Sequence, residues 1–197
     1  MASGSLYLLT GTETFLRRRR LAQLVEERLP EGLGDFNYVR IDGKETSLVD
    51  ILSTWEERGF GGDRVIHVDN ADKIRMKKDD KVSELFLKRA KTGVPHALMI
   101  LEAESVDRRK SFYKKLSALA VSEEFKPLRD YQVPGFIAGE LSAKGYVIDP
   151  DAAEFMAMFT SSELMVISSE LEKLILYMGP DQTRITLDSV RGSWMPS

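Results

Sequence analysis

The chain has 197 residues, of which 43% are hydrophobic and 30% charged, as in an ordinary folded protein of one or two domains. With 28 Lys and Arg against 31 Asp and Glu, the net charge of −3 gives no globally basic surface for nucleic acid. The lack of Cys and the presence of only two His exclude a disulfide scaffold, a thiolate nucleophile and a Cys- or His-rich metal site, so we expect no metal.

The apolar runs of the sequence are short. The longest aliphatic run covers residues 97–101, whereas a membrane-spanning helix needs about 20 apolar residues. Residues 1–5 lack the basic region and the long apolar stretch of a secretory signal. These features predict a cytoplasmic protein with no membrane partner.

Five short runs rich in β-branched or aromatic residues predict strands over residues 6–9, 38–41, 64–68, 97–101 and 121–125. The segments between them have apolar residues at helical spacing, such as Val82, Leu85 and Phe86, and either Thr46 or Ser47 suits a helix N-cap. Alternation of this kind favours a parallel sheet with helices on both faces. We therefore predict a three-layer α/β domain over residues 1–127.

The pattern changes after Pro127, where we find no convincing strand. A Pro at the first helical position and a Gly-Pro pair at the end of an apolar stripe are typical helix boundaries. We expect three helices here: one over residues 131–143, one that begins at Pro150, and one that begins at Ser161 or Ser162. Residues 185–190 form a strand fragment or, as we favour, the Thr-capped start of a further helix. Residues 128–197 are thus predicted as a small all-α domain.

The turn after the first strand is the usual place for a phosphate-binding loop, which needs a second Gly, a Lys and a Ser or Thr at fixed spacing. Counted from Gly11, these places hold Leu16, Arg17 and Arg18. The hydroxyl that would hold Mg²⁺ is missing, so we expect no nucleotide cofactor. An atypical phosphate loop that uses Arg17 remains an alternative, in which the chain is a nucleotide-dependent transferase or NTPase.

The third strand ends in Asp69 and Asn70. A working ATPase carries an Asp for the metal and a Glu to polarise the attacking water at this place. Asn70 cannot act as a base, and we interpret Asp69 as a helix cap or a strand-end acceptor. The sequence therefore predicts no catalytic residue.

Three glycines surround one aromatic residue in the segment that contains Gly59, Phe60 and Gly61. Glycine permits backbone angles that other residues rarely adopt. Phe60 either folds back into the core or projects from the loop into the pocket of a partner.

Residues 73–115 carry 13 Lys and Arg against six Asp and Glu. Solvated helix faces explain such a region, and contact with phosphate is a second explanation, but no interleaved aromatic residues support base stacking. Arg108, Arg109 and Lys110 are the candidate contacts to DNA or a partner. A stand-alone nucleic-acid binder is thus a further alternative.

Six segments carry a pattern in a fixed order: residues 6–16 (LYLLTGTETFL), 60–74 (FGGDRVIHVDNADKI), 107–116 (DRRKSFYKKL), 125–128 (FKPL), 148–152 (IDPDA) and 169–174 (SELEKL). Together they resemble the delta subunit family of the bacterial DNA polymerase III clamp loader. The resemblance implies an AAA+ type, P-loop-like domain with a five-stranded parallel sheet, followed by a helical lid. It also implies a subunit that does not bind ATP, within a holoenzyme that is a DNA-directed DNA polymerase.

The resemblance further implies partners. Members of the family open the ring-shaped sliding clamp (beta) through an apolar pair, commonly Leu-Phe, before the third strand. Phe60 matches the Phe, whereas Gly59 stands in the place of the Leu. Relatives continue into a collar domain that joins the ATPase (gamma/tau) and delta-prime subunits, so the chain resembles the first two of three domains. DNA is an expected partner of the assembled complex, in the nucleoid-associated replisome.

Overall fold

The computed structural model describes residues 5–29, 34–58, 62–76, 81–160 and 163–194. The chain divides into two compact units, Met1–Lys126 and Pro127–Ser197. Each unit buries a set of apolar side chains. Among the described residues, no helix combines the length and the apolar character that crossing a bilayer requires.

Strands and helices alternate along the first unit. Its strands are β1 (Leu6–Thr10), β2 (Tyr38–Asp42), β3 (Arg64–Asp69), β4 (Ala97–Ala103) and β5 (Val121–Glu124). Its helices are α1 (Thr14–Arg28), α2 (Gly34–Asn37), α3 (Leu48–Glu56), α4 (Lys81–Thr92) and α5 (Ser111–Leu119), and a 3₁₀ turn covers Ala71–Lys73. All predicted strands are present, each within two residues of its predicted ends.

The five strands form one parallel sheet in the order β2-β3-β4-β1-β5. Leu101 of β4 pairs with Leu8 on one side and with Val68 on the other, and all of β4 is buried. In a parallel sheet the carboxyl ends of all strands lie at one edge. The loop that follows β1 therefore lies at the carboxyl edge, whereas the loop that precedes β3 lies at the amino edge.

Helices cover both faces of the sheet, because neighbouring strand residues point to opposite sides. Ile66 packs in a cluster with Trp55 of α3 and with side chains of α4 and α5. Its neighbour Val65 belongs to a second cluster, together with Leu24 of α1. This arrangement confirms the predicted three-layer α/β fold.

The helices of the first unit follow their predicted apolar stripes with one difference. Ser47 caps α3, as one of the two predicted alternatives, and its hydroxyl accepts from Asp50 N at 3.4 Å. On α4, Leu85 belongs to the apolar residues at helical spacing, but its side chain is 43% exposed. Phe86 and Ala90 take the buried positions, and the Phe86 ring packs against Trp55 at a tilt of 44°, with ring centroids 5.2 Å apart.

The second unit is mainly helical. It contains a 3₁₀ turn (Asp130–Gln132) and the helices α6 (Val133–Ala143), α7 (Pro150–Phe159), α8 (Leu164–Met178) and α9 (Leu187–Trp194). Pro134 lies in the first turn of α6, and Pro150 is the first residue of α7, as predicted. Ser161 and Ser162, the predicted start of α8, lie outside the described residues; the N-cap is Glu163.

The prediction that no strand follows Pro127 is wrong in one detail. β6 (Val147–Ile148) and β7 (Arg184–Ile185) form a two-residue parallel pair in which Ile148 lies opposite Ile185. Two residues are too few for an alternating pattern to be visible in a sequence. After β7, Thr186 caps α9 as expected, with its hydroxyl accepting from Ser189 N at 3.3 Å.

Candidate functional site

The loop after β1 presses against the end of β5. Gly11 has φ +118°, and a Cβ placed there would lie 1.9 Å from the carbonyl oxygen of Phe125. Gly11 N donates to Glu104 O at 3.0 Å, and Glu13 N donates to Phe125 O at 3.1 Å. In a phosphate-binding loop, backbone N–H groups at this place point toward the ligand. Here these two donors are bonded to the protein's own carbonyl groups.

Arg17, which stands in the place of the phosphate-loop Lys, points back into the protein. Its Nε lies 2.6 Å from Glu102 Oε1 at the carboxyl end of β4, and its Nη1 donates to Gly11 O. The Arg17 and Glu102 side chains are only 12% and 7% exposed. The guanidinium thus joins the loop to the sheet by protein contacts alone.

The Glu102 carboxylate extends this contact across the sheet. Its Oε2 lies 2.9 Å from His67 Nε2, and the Tyr38 hydroxyl lies 2.8 Å from His67 Nδ1. An ionised carboxylate only accepts hydrogen bonds, so His67 Nε2 donates to Glu102, and the other ring nitrogen, Nδ1, pairs with the Tyr38 hydroxyl. We call these four residues (Arg17, Tyr38, His67 and Glu102) the Arg17 network.

The environment of Glu102 sets its protonation state. Burial alone would raise the pKa of the Glu102 carboxyl, but hydrogen bonds and charge from His67 and Arg17 outweigh burial and lower the pKa to about 2. Burial also raises the pKa of the Tyr38 hydroxyl. The network therefore holds a nearly buried carboxylate that stays ionised at neutral pH.

The end of β3 is also bonded within the protein. Asp69 Oδ1 accepts from Asn70 N at 2.8 Å, and Asp69 Oδ2 accepts from Arg40 at 3.0 Å. Asp69 is thus a strand-end acceptor, one of the two interpretations offered by the sequence. Among the described residues, no group of three or more His, Asp or Glu side chains is arranged to hold a metal ion.

The predicted clamp-binding residues Gly59, Phe60 and Gly61 lie outside the described residues. The residues just beyond them are described and firmly bonded. Arg64, at the start of β3, donates through Nη1 to Thr54 O at 3.0 Å and to Glu57 Oε2 at 3.1 Å. We call Asp63, Arg64 and the four residues bonded to them the loop base; these four are Arg28, Thr54, Glu57 and His96.

Asp63 is the second anchor of the loop base. Its Oδ2 lies 2.9 Å from Arg28 Nε, and its Oδ1 lies 3.0 Å from His96 Nδ1. His96 has φ +59°, in the left-handed region, and its carbonyl accepts from Arg64 N at 2.8 Å. A cavity of about 600 Å³ at this edge is lined by Arg58 and Gly62 together with Val94–His96.

The predicted basic contacts Arg108, Arg109 and Lys110 are all exposed, just before α5. Arg109 is paired with Asp107, with Nε 2.9 Å from Oδ1, and hydrogen bonds from Arg109 lower the pKa of that carboxyl. The structure thus distinguishes members of the trio, since Arg109 already has an anionic partner.

Sequence reasoning missed the Arg17 network, although one signal was present. Glu102 is a charged residue directly after Ile100 and Leu101 in a strand that is otherwise apolar. A carboxylate at such a position requires a buried partner. Which partner it has depends on the strand order, which the sequence does not give.

Comparison with known proteins agrees with this geometry. The family described as DNA polymerase III, delta subunit, matches residues 7–126. The DNA polymerase III subunit delta of Bacillus subtilis (strain 168) is 28% identical over 193 residues, covering 94% of this chain and 55% of the relative. The chain therefore spans little more than half the length of that relative.

Solved structures give the same grouping. The Bacillus subtilis DNA clamp loader delta protein superposes with a TM-score of 0.80 at 26% identity, covering 98% of this chain and 59% of that one. The RuvB Holliday junction branch migration motor of Thermotoga maritima superposes with a TM-score of 0.51 at 17% identity, covering 96% of this chain and 60% of that one. The RuvB likeness concerns the fold alone, and it confirms the predicted AAA+ type, P-loop-like α/β class.

Proposed function

Because the chain belongs to the family of DNA polymerase III delta subunits, we propose that it is a non-catalytic clamp-loader component that binds and opens the DNA sliding clamp during replication. The observation that supports the non-catalytic part is the Arg17–Glu102 ion pair. This ion pair engages the Arg17 side chain, which would otherwise contact the phosphates of a nucleotide. Gly11 N and Glu13 N, two donors of the same loop, are likewise bonded to the protein. This geometry disfavours the alternative of an NTPase or transferase that uses Arg17.

The proposed contact to the clamp is Phe60, with Gly59 and Gly61 as its flanks. Truncation of an aromatic residue at the centre of an interface costs about 1–3 kcal/mol of binding free energy. The Leu-Phe pair of the family is reduced here to the Phe, because Gly59 replaces the Leu. We therefore expect Phe60 to carry most of the apolar contact at this loop.

Binding alone does not open a ring. A ligand shifts a conformational equilibrium only by the difference between its affinities for the two states. The Phe60 contact must therefore be stronger in the open clamp than in the closed clamp. In this proposal, ATP hydrolysis by sister subunits resets the loader, and the present chain contributes binding energy only.

The remaining partners follow from the family. We expect the ATPase (gamma/tau) and delta-prime subunits to assemble with this subunit, and DNA to be contacted within the loader. Arg108, Arg109 and Lys110 are the proposed contacts to DNA or a partner. We place the protein in the bacterial cytoplasm, with the replisome.

Surface plasmon resonance with the sliding clamp of the same organism tests the central proposal. We expect Phe60→Ala to weaken binding by about 1–3 kcal/mol and to leave the thermal unfolding transition in place. Tyr131→Ala is the matched control, because Tyr131 is an aromatic residue that is 75% exposed and belongs to the second unit. Normal clamp binding by Phe60→Ala, or loss of its unfolding transition, would show that Phe60 is not the clamp contact.

A further inference from the structure

We propose that the exposed face of α8 is a docking surface for an amphipathic helix of a partner protein, a helix with apolar residues near both ends and basic residues between them. This inference goes beyond the proposed function and does not depend on the clamp contact. One side of α8 carries a buried apolar stripe. The opposite side leaves four large apolar side chains in solvent; these are Met165, Val166, Leu176 and Tyr177.

The four exposed side chains form two pairs on the same side of α8. Met165 and Leu176 are eleven positions apart, as are Val166 and Tyr177, and eleven positions make about three helical turns, or about 16 Å. Leu176 alone is 82% exposed. Apolar groups clustered in solvent commonly mark an interaction site. A straight element of at least three turns would contact both pairs, which fits a helix laid along α8.

Acidic side chains lie between the two apolar pairs. Glu170 and Glu172 share this part of the face with Lys173, whose Nζ lies 2.7 Å from Glu170 Oε1. Lys144 lies 3.7 Å from Glu172. The unit Pro127–Ser197 as a whole carries ten Asp and Glu against five Lys and Arg. An acidic centre within an acidic unit attracts a basic partner and repels an acidic one.

A cavity beside Glu170 suits a basic side chain. Its volume is about 410 Å³, and it is lined by Phe159, Glu170, Lys173 and Ser193. A carboxylate and an exposed aromatic ring both attract a guanidinium, the first by ion pairing and the second by a cation–π contact. The same unit already shows the second kind of contact, since Arg191 Cζ lies 5.4 Å from the centroid of the Phe155 ring.

A second copy of the chain is the other apolar partner to consider. Antiparallel pairing of two α8 helices about Leu171 would place Val166 of one copy against Leu176 of the other. The same pairing would set Glu170 of each copy opposite Glu172 of the other, and like charges at facing positions are unfavourable. The charges of the face therefore favour a basic partner helix over a second copy.

Two synthetic helical peptides test this proposal. Both carry leucines eleven positions apart; one has arginines between them, and the other has glutamates at the same places. Fluorescence anisotropy of each labelled peptide, titrated with the unchanged protein, measures the affinities. We expect saturable binding of the arginine peptide, about 10-fold or more tighter than binding of the glutamate peptide. Equal affinities, or no binding of the arginine peptide, would overturn the proposal.

Two variants separate the apolar contact from the charge. Leu176→Ser should weaken binding of the arginine peptide about 10-fold. Glu170→Gln should weaken it about 3- to 10-fold and should not weaken binding of the glutamate peptide. Leu85→Ser is the matched control, because Leu85 is an exposed leucine of α4 in the first unit. An equal loss of affinity in Leu85→Ser and Leu176→Ser would show that the peptide does not bind at α8.

Melting curves of the variants separate a folding defect from a binding defect. If Leu176→Ser does not fold, Met165→Ser takes its place, because Met165 is exposed at the other end of the face. Sedimentation velocity at several protein concentrations tests for a second copy, and we expect a monomer in the absence of peptide. A concentration-dependent dimer that Leu176→Ser abolishes would overturn the proposal, since α8 would then pair with itself.

Discussion

Arg17 Nε and Glu102 Oε1 lie 2.6 Å apart, and this ion pair joins the start of α1 to the carboxyl end of β4. Arg17 also holds the carbonyl of Gly11. A charge pair with so little solvent contact is costly to disrupt, because the remaining partner is left buried and unpaired. A ligand could therefore enter the loop after β1 only if this ion pair were broken.

The first prediction concerns acid. The pKa of Glu102 is lowered to about 2 in the folded chain, from 4.5. The ionised carboxylate therefore stabilises the fold fully above pH 4.5, and this contribution disappears as the pH falls toward 2. By linkage it amounts to about 3 kcal/mol at neutral pH.

Urea unfolding as a function of pH measures this contribution. Glu102→Gln should be the less stable protein at pH 7, and the difference from the unchanged protein should shrink on acidification. Glu26→Gln, at an exposed position of α1, should show no such convergence. A difference that stays constant down to pH 2 would contradict the assigned role of the carboxylate.

The second prediction concerns Gly11. Ala at this position combines φ +118° with a Cβ placed 1.9 Å from Phe125 O, so backbone must move. We expect Gly11→Ala to destabilise the first unit by about 3 kcal/mol or more, as measured by thermal unfolding. Gly139→Ala, within α6 and with nothing within 4 Å, should instead be neutral or slightly stabilising. Equal melting temperatures for the two variants would show that the loop does not depend on this contact.

The third prediction concerns nucleotide. Isothermal titration of Mg-ATP into the unchanged protein should give no saturable heat, because Arg17, Gly11 N and Glu13 N are already bonded. Saturable heat that Arg17→Ala abolishes would support the NTPase alternative. Arg17→Ala should also lower stability by about 3 kcal/mol, since it leaves Glu102 with one fewer buried partner.

The fourth prediction concerns the basic trio. If Arg108 and Lys110 contact phosphate in the assembled loader, replacing either by Ala should reduce the slope of log affinity for DNA against log salt by roughly one. Arg109→Ala should have less effect, because Asp107 already neutralises that side chain. Fluorescence anisotropy of labelled DNA at several salt concentrations measures the slopes. If each of the three variants gave the same slope as the unchanged protein, the trio would not be part of the DNA interface.

The fold was largely predictable because its signals are local. Each sheet strand is a short apolar run, and the positions Leu48, Ile51 and Trp55 on α3 are all buried as their spacing indicates. The site was less predictable. Arg17 and Glu102 are 85 positions apart in the chain, and they meet only because β4 lies beside β1. No local pattern carries that information.

The position of β1 inside the sheet, between β4 and β5, has a consequence for biosynthesis. The first strand to leave the ribosome is flanked in the sheet by the fourth and the fifth, so both of its edges stay unpaired until about a hundred further residues have been translated. Until then, this apolar strand is open to pairing with other nascent chains. When translation is slow, a polypeptide of this architecture should therefore depend on chaperones that bind the segment around β1.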